Sequence, residues 1–268
     1  MKGFAMPDLN AKVTQRKDLA PGLMIIRVKP DGWELPPFKP GQFAVLGLPA
    51  EAPRSPGALP EEGRDAFPRR AYSIASSSLD RDFLEFYIVE VPGGALTPRL
   101  FALQEGDRLW LGPKLTGLFT LDQVAPGRNL AFIATGTGLA PYMSMLRTHL
   151  ASEPDRKFAV VHGARYASDL GYRNELFHLE RDHANFTYLP VLSRPESGWQ
   201  GFRGHLQDFW AGGDLEKGWG LRPAPGDTDF FLCGNPGMVE AMLGILQAEG
   251  FREHTKKEPG QVHFEKYW

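Results

Sequence analysis

Leu130-Ala131-Phe132-Ile133-Ala134-Thr135-Gly136-Thr137-Gly138-Leu139-Ala140-Pro141-Tyr142 is the stretch that decides the architecture. Its first five residues are a short apolar run, the length of a buried strand rather than a helix. Two glycines then permit a tight turn and close backbone approach. Pro141 suits a first helical turn, because the N–H it lacks would go unpaired there anyway. Strand, glycine turn and helix make one half of a βαβ unit. The free N–H groups where such a helix starts attract phosphate. The third glycine of a G-x-G-x-x-G fingerprint is absent, so a plain strand-to-helix turn and a phosphate-binding turn both fit this stretch taken alone.

The same alternation continues toward the C-terminus. Apolar runs at 158–162, 186–192 and 230–233 are strands, helices are expected near 170–182 and 236–249, and 262–268 is a last strand ending on two aromatics. Alternating strands and helices predict a parallel sheet with helices on its faces. Toward the N-terminus the period changes. Segments 23–28, 42–48, 70–75, 84–91 and 108–111 are short, apolar or alternating, and bounded by Gly, Pro or Asp. Closely spaced strands of this kind predict a small antiparallel β-barrel. The turn Pro126-Gly127 marks the junction, which divides the chain into residues 1–122 and 123–268. Residues 49–68 carry five prolines and keep no apolar period, so they form a surface loop between barrel strands. A tolerated insertion is the plainer reading of that loop, and a lid or partner contact the functional one.

Composition narrows the function. The 268 residues carry a formal net charge of -2, without the basic excess of a nucleic-acid binder. The single cysteine, Cys233, leaves no disulfide within the chain and no cysteine-based metal or iron–sulfur site. No metal is expected. Met1–Asn10 lacks the apolar core of a secretory signal, and no apolar run is long enough for a bilayer, so a cytoplasmic protein is expected. The seven histidines show no zinc-protease spacing, and no G-x-S-x-G elbow occurs.

Four other features carry chemistry. In Arg70-Ala71-Tyr72-Ser73 the Arg and Tyr share one face of a strand, offering a cation for phosphate and a ring for stacking, while Ser73 faces the other way; taken alone, a plain strand with a chance Arg and Tyr fits better. Cys233-Gly234-Asn235-Pro236-Gly237-Met238 stands at the end of an apolar strand, where open α/β sheets bind ligands. There Asn235 fits a helix cap or a ligand contact, and Cys233 a buried structural thiol or a site residue. Arg165, Arg194 and Arg203, with His205, follow successive strands, where a cofactor 2′-phosphate needs positive charge; each alone fits a solvated surface arginine better, and three at one sheet edge favour phosphate recognition. Tyr267-Trp268 is either a terminal strand packed in the core or a cover for a flat cofactor.

These motifs, in this order, resemble the ferredoxin–NADP reductase family, in particular its bacterial flavodoxin/ferredoxin reductase branch. The resemblance extends over nearly the whole chain and includes Phe86-Tyr87-Ile88-Val89, Leu96-Thr97-Pro98-Arg99-Leu100 and His162-Gly163-Ala164-Arg165-Tyr166. It implies FAD and NADP(H) as cofactors, ferredoxin or flavodoxin as partner, a monomer, and hydride transfer at flavin N5. By the same resemblance, Arg70 holds the FAD pyrophosphate, Tyr72 stacks on the isoalloxazine and Ser73 bonds near N5. Ala71, Ile88, Ala95, Leu96, Thr97 and Thr137 complete the FAD site, and Tyr267 and Trp268 lie at its other face. Thr135, Gly136, Ala164, Arg165, Arg194, Arg203 and His205 serve NADP. Cys233, Gly234, Asn235, Pro236 and Met238 line the nicotinamide site, and Ser73, Cys233 and Trp268 act at the reaction itself. Gly204-His205 departs from the Gly-Arg of close relatives, and the loop at 49–68 is longer. The rival expectations are an NADH-dependent reductase component of an oxygenase and a non-catalytic flavin- or nucleotide-binding sensor.

Overall fold

The computed structural model describes residues 7–61 and 65–266. They form two compact units, Met1–Leu118 and Phe119–Trp268. The division falls slightly before the expected junction. Phe119 packs on Tyr142 and Phe231, at centroid distances of 6.0 and 5.2 Å, and so joins the second core.

The first unit holds β1 (Ala11–Ala20), β2 (Leu23–Pro30), β3 (Phe43–Gly47), β4 (Arg69–Ser73), β5 (Leu84–Val89), helix α1 (Thr97–Ala102) and β6 (Arg108–Leu111). The strands are antiparallel in the order β4-β3-β6-β1-β2-β5. A bridge between Ile74 and Phe86, with Ala75 N donating to Glu85 O at 2.8 Å, brings the ends of this order together and closes a barrel. Met24, Ile26 and Val28 of β2 and Leu84, Phe86 and Ile88 of β5 fill its core at the two-residue period of a strand. Glu85 breaks the apolar run, yet its register partner across the ladder is Arg27, and the two pair at 2.8 Å. Strand β1 was not expected, because beyond Ala11 and Val13 its side chains are mostly polar and solvated.

The second unit contains β7 (Asn129–Thr135), α2 (Ala140–His149), β8 (Phe158–Ala164), α3 (Arg173–Asp182), β9 (Phe186–Leu192), β10 (Phe202–Arg203), α4 (Leu206–Ala211), α5 (Asp214–Trp219), β11 (Thr228–Gly234), α6 (Pro236–Ala248) and β12 (Val262–Lys266). All six strands are parallel, in the order β10-β9-β8-β7-β11-β12. Their apolar runs are almost continuous, as strands covered on both faces require. From β7 the chain builds outward through β8, β9 and β10, then returns to place β11 on the other side of β7. That reversal between β7 and β11 is the topological switch point, where such sheets open a crevice beyond the carboxyl ends of their strands.

Candidate functional site

Both glycine motifs of the second unit lie at this switch point and are stitched together. Asn235 N donates to Thr135 Oγ1 at 2.8 Å. A methyl group on Gly138 would stand 2.6 Å from the Cys233 carbonyl carbon and 2.8 Å from Gly234 N. Gly234, at φ +131°, passes equally close to Thr135, whose carbonyl oxygen would lie 2.7 Å from an added Cβ. The glycines are therefore required for one backbone to cross another. Gly136, at φ +54°, faces open space instead. That open side, beside the half-buried Thr135 and Thr137, is where a ligand can reach the turn.

Asn235 caps α6: its side-chain oxygen accepts from Gly237 N at 2.9 Å and Met238 N at 3.3 Å, with Pro236 in the first turn. This is the capping role weighed in the sequence. Met238 contributes its N–H to the cap while its side chain is buried in the sheet core. Cys233 is fully buried at the end of β11. In the ladder it stands opposite the half-buried Glu265 of β12, a carboxylate absent from the sequence-derived candidates. Only the pairing of β11 with β12 reveals it.

His162 is a second residue that motif reading missed. It lies fully buried on β8, with Nε2 3.2 Å from Gly136 O and Nδ1 3.3 Å from the Tyr188 hydroxyl. A carbonyl only accepts, so Nε2 carries the proton and Nδ1 accepts from Tyr188. Burial pushes the imidazole down to about 4, against the opposing pull of the Gly136 carbonyl. A neutral ring thus holds the nucleotide-side turn from behind.

The ladder of β8 and β9 runs on past both strands: Ser193 N donates to Ala164 O at 3.0 Å and Arg194 N to Arg165 O at 2.9 Å. Arg165 and Arg194 become exposed neighbours at the carboxyl edge, beside the half-buried Ala164. Arg203 ends β10 and donates to Trp199 O at 2.6 Å. His205 is exposed just before α4, with its N–H on Asp208 Oδ2 at 3.0 Å. Among the described residues no carboxylate pairs with Arg165, Arg194 or Arg203, whereas Arg128, Arg147, Arg156 and Arg181 of the same unit each hold an acid. Cations without acid partners suit an incoming anion.

In the first unit, Arg70 and Ala71 are exposed on β4, Tyr72 is half-buried and Ser73 is buried. Burial pushes the Tyr72 phenol above its ordinary range, while the Arg70 charge pulls it back. The phenol stays protonated, and its ring meets Phe86 edge-on at 6.5 Å. At the start of α1, Thr97 Oγ1 accepts from Val91 N at 3.0 Å and donates to Val91 O at 3.1 Å. Leu96 and Ile88 put their side chains into the barrel core, so only their backbones can meet a ligand. Ala95 is half-buried, and its carbonyl accepts from Arg99.

Arg99 changes the account of the proline-rich loop. Its buried guanidinium pairs with Glu61 at 2.8 Å and donates to the carbonyls of Ala50 and Ala95. Ser55 bonds Glu90 and, through its N–H, Pro98 O at 2.9 Å. Leu59 N donates to Pro92 O at 2.9 Å, and Arg54 reaches Pro92 O and Gly94 O at 3.3 and 3.2 Å. The loop is therefore clamped onto segment 90–99, which carries the FAD-site candidates Ala95, Leu96 and Thr97.

Tyr267 and Trp268 lie outside the described residues. Among the described residues no cluster of His, Cys, Asp or Glu could hold a metal ion, and no helix is long and apolar enough to cross a membrane.

Residues 132–243 match the family model described as an oxidoreductase NAD-binding domain. The chain is 34% identical over 241 residues to ferredoxin–NADP reductase of Pseudomonas aeruginosa, covering 85% of this chain and 86% of that protein. It is 33% identical over 233 residues to flavodoxin/ferredoxin–NADP reductase of Escherichia coli, covering 87% and 88%. A solved ferredoxin–NADP+ reductase from Neisseria gonorrhoeae, with FAD and NADP bound, superposes with a TM-score of 0.81 at 25% identity, over 96% of this chain and 97% of that one. With an antiparallel barrel, a parallel sheet and interlocked glycine turns at its switch point, the chain belongs to the ferredoxin/flavodoxin–NADP reductase family of oxidoreductases.

Proposed function

We propose that this protein is an FAD-containing reductase that moves electrons between NADP(H) and a ferredoxin or flavodoxin. One observation beyond family membership carries the reading: three arginines without acid partners share the carboxyl edge of the sheet with a glycine turn open to a ligand. The residues fit both cofactors. Arg70, exposed beside the half-buried Tyr72, matches a pyrophosphate and a flat ring system, and the open side of Gly136 leaves room for a nucleotide. A bound flavin would supply a centre able to trade a hydride with nicotinamide and single electrons with the carrier.

The protein's own groups bind, orient and exclude water. Arg70 and the turn at Ala95, Leu96 and Thr97 hold the FAD phosphates and adenosine, with Ala71, Ile88 and Thr137 beside them. Tyr72 presents its ring for stacking, and a protonated phenol keeps negative charge away from the flavin. Ser73 positions the ring near N5. Thr135, Gly136 and Ala164 shape the dinucleotide crevice, while Arg165, Arg194, Arg203 and His205 face the 2′-phosphate. Cys233, Gly234, Asn235, Pro236 and Met238 form the wall for the nicotinamide. By the family resemblance, Tyr267 and Trp268 belong to the FAD site, and Trp268 would influence the choice of nicotinamide cofactor. The protein works as a cytoplasmic monomer.

The test is direct. Purified protein should be yellow, should reduce a dye faster with NADPH than with NADH, and should pass electrons to ferredoxin or flavodoxin. A colourless protein that takes up no flavin refutes the proposal. A preference for NADH moves the assignment to a reductase component of an oxygenase. Deleting Trp268 should alter the NADPH/NADH ratio, and unchanged kinetics with both would remove its assigned role.

A further inference from the structure

A fourth arginine stands among the unpaired cations of the sheet edge. Arg173 opens α3, the helix that follows β8 and Arg165. Its guanidinium carbon lies 5.1 Å from the centroid of the Trp199 ring and 5.6 Å from that of Phe177, its i+4 neighbour on the helix. Glu175, the nearest acid along the helix, is occupied by Arg147 through two contacts of 2.7 Å. No described residue supplies Arg173 with a carboxylate or a side-chain hydrogen bond. A guanidinium held by its faces against rings keeps its N–H donors, which point outward in the plane, free for a planar or tetrahedral anion.

Trp199 links this cation to another. Its backbone carbonyl accepts from Arg203 at 2.6 Å, and its indole N–H donates to Phe202 O at 2.9 Å. Gly201 lets the ring lie flat on the loop, since an added Cβ there would come within 2.6 Å of the indole. One folded loop, running from Arg194 to Arg203, thus carries two arginines at its ends and fixes a third through its ring. Arg203 and Arg173, linked through Trp199, are two cations that no carboxylate pairs with among the described residues, and a bound dianion would supply that partner.

We infer that Arg173, positioned by Trp199, is a further ligand for the 2′-phosphate of NADP(H) and sets the preference for it over NAD(H). The inference rests on the NADP(H) reading and extends it to residues that neither the motifs nor the strand-end pattern includes. Arg173 lies eight residues beyond the strand-end arginine, and it joins the others only because α3 packs beside the loop carrying Trp199.

The test compares 2′,5′-ADP with 5′-AMP, which differ only in the 2′-phosphate, by titration calorimetry on the holoprotein. In Arg173→Leu the preference for 2′,5′-ADP should fall about tenfold, the order of one charge-assisted hydrogen bond. Arg173→Lys keeps the charge without the planar donor pair and should lose about threefold, so the test survives if the leucine variant fails to fold. Trp199→Leu should lower the preference and Trp199→Phe restore most of it, which a merely structural indole would not do. If wild type prefers 2′,5′-ADP and both Arg173 variants keep that preference within twofold, the assignment is overturned while the NADP(H) reading stands. Equal loss of both ligands also overturns it. If wild type does not distinguish the two ligands, the NADP(H) reading itself fails, and this inference with it.

Discussion

His162 gives the sharpest quantitative prediction. The ring is fully buried, and burial takes it from an ordinary 6.5 to about 4. That drop corresponds to about 3 kcal/mol of native-state preference for the neutral form. The sign follows from proton counting. Between pH 6.5 and 4 the unfolded chain binds a proton at this position that the folded chain refuses. Stability from the neutral ring is therefore fully present above pH 6.5 and is lost as pH falls toward 4. Replacing the ring with Gln removes the titration while keeping a donor for Gly136 O. Urea unfolding of wild type and His162→Gln should be compared at pH 7.5 and 4.5. Wild type should lose about 2–3 kcal/mol more than the variant on acidification. Every other titrating group, including His254, which burial and its stacked neighbour His263 also push down, is common to both proteins and cancels. An equal loss in the two proteins would falsify the assignment of a neutral, buried His162.

Three further outcomes follow from the packing. Gly138→Ala forces a methyl group against the backbone of Cys233 and Gly234, which no rotamer change relieves; a loss of about 2–3 kcal/mol in unfolding, with weaker NADP binding, is expected, and wild-type stability would refute the crossing. Arg99→Met leaves the Glu61 carboxylate without its cation and frees the loop from segment 90–99; about 3 kcal/mol should be lost, and FAD should dissociate faster in a fluorescence-release assay. Unchanged FAD release in Arg99→Met would show that the clamp has no bearing on the cofactor. Tyr142→Phe removes a buried hydroxyl that reaches the carbonyls of Ile133 at 3.2 Å and Phe231 at 2.7 Å, and about 1–2 kcal/mol should go with it, read as a lower urea midpoint.

Much of the architecture was legible in local pattern. The period-two runs of the barrel strands and the strand–turn–helix units after Leu130 arise from which face of each element meets water, and that is written residue by residue. Strand β1 escaped because only its first residues are apolar, and α4 and α5 because they are six-residue helices set among glycines. Glu85 interrupts an apolar run, and only the register sets it opposite Arg27. The proline-rich loop looked independent because the groups that clamp it, Arg99 and Glu90, lie dozens of residues away and carry no local signal.

By itself, then, the sequence determined two folding units, a parallel sheet with helices on its faces, and the Arg70–Ser73, Thr135–Gly138 and Cys233–Met238 motifs, since these depend on neighbours within a few positions. Tertiary structure alone decided that Thr135 holds Asn235 across 100 residues, that His162 supports Gly136 as a neutral ring, that Glu265 stands beside Cys233, and that Arg173 lies on Trp199. The reason is physical. Backbone propensity and solvent contact act locally along the chain. Hydrogen bonds, burial and stacking between distant residues exist only once strand order and register have brought them together.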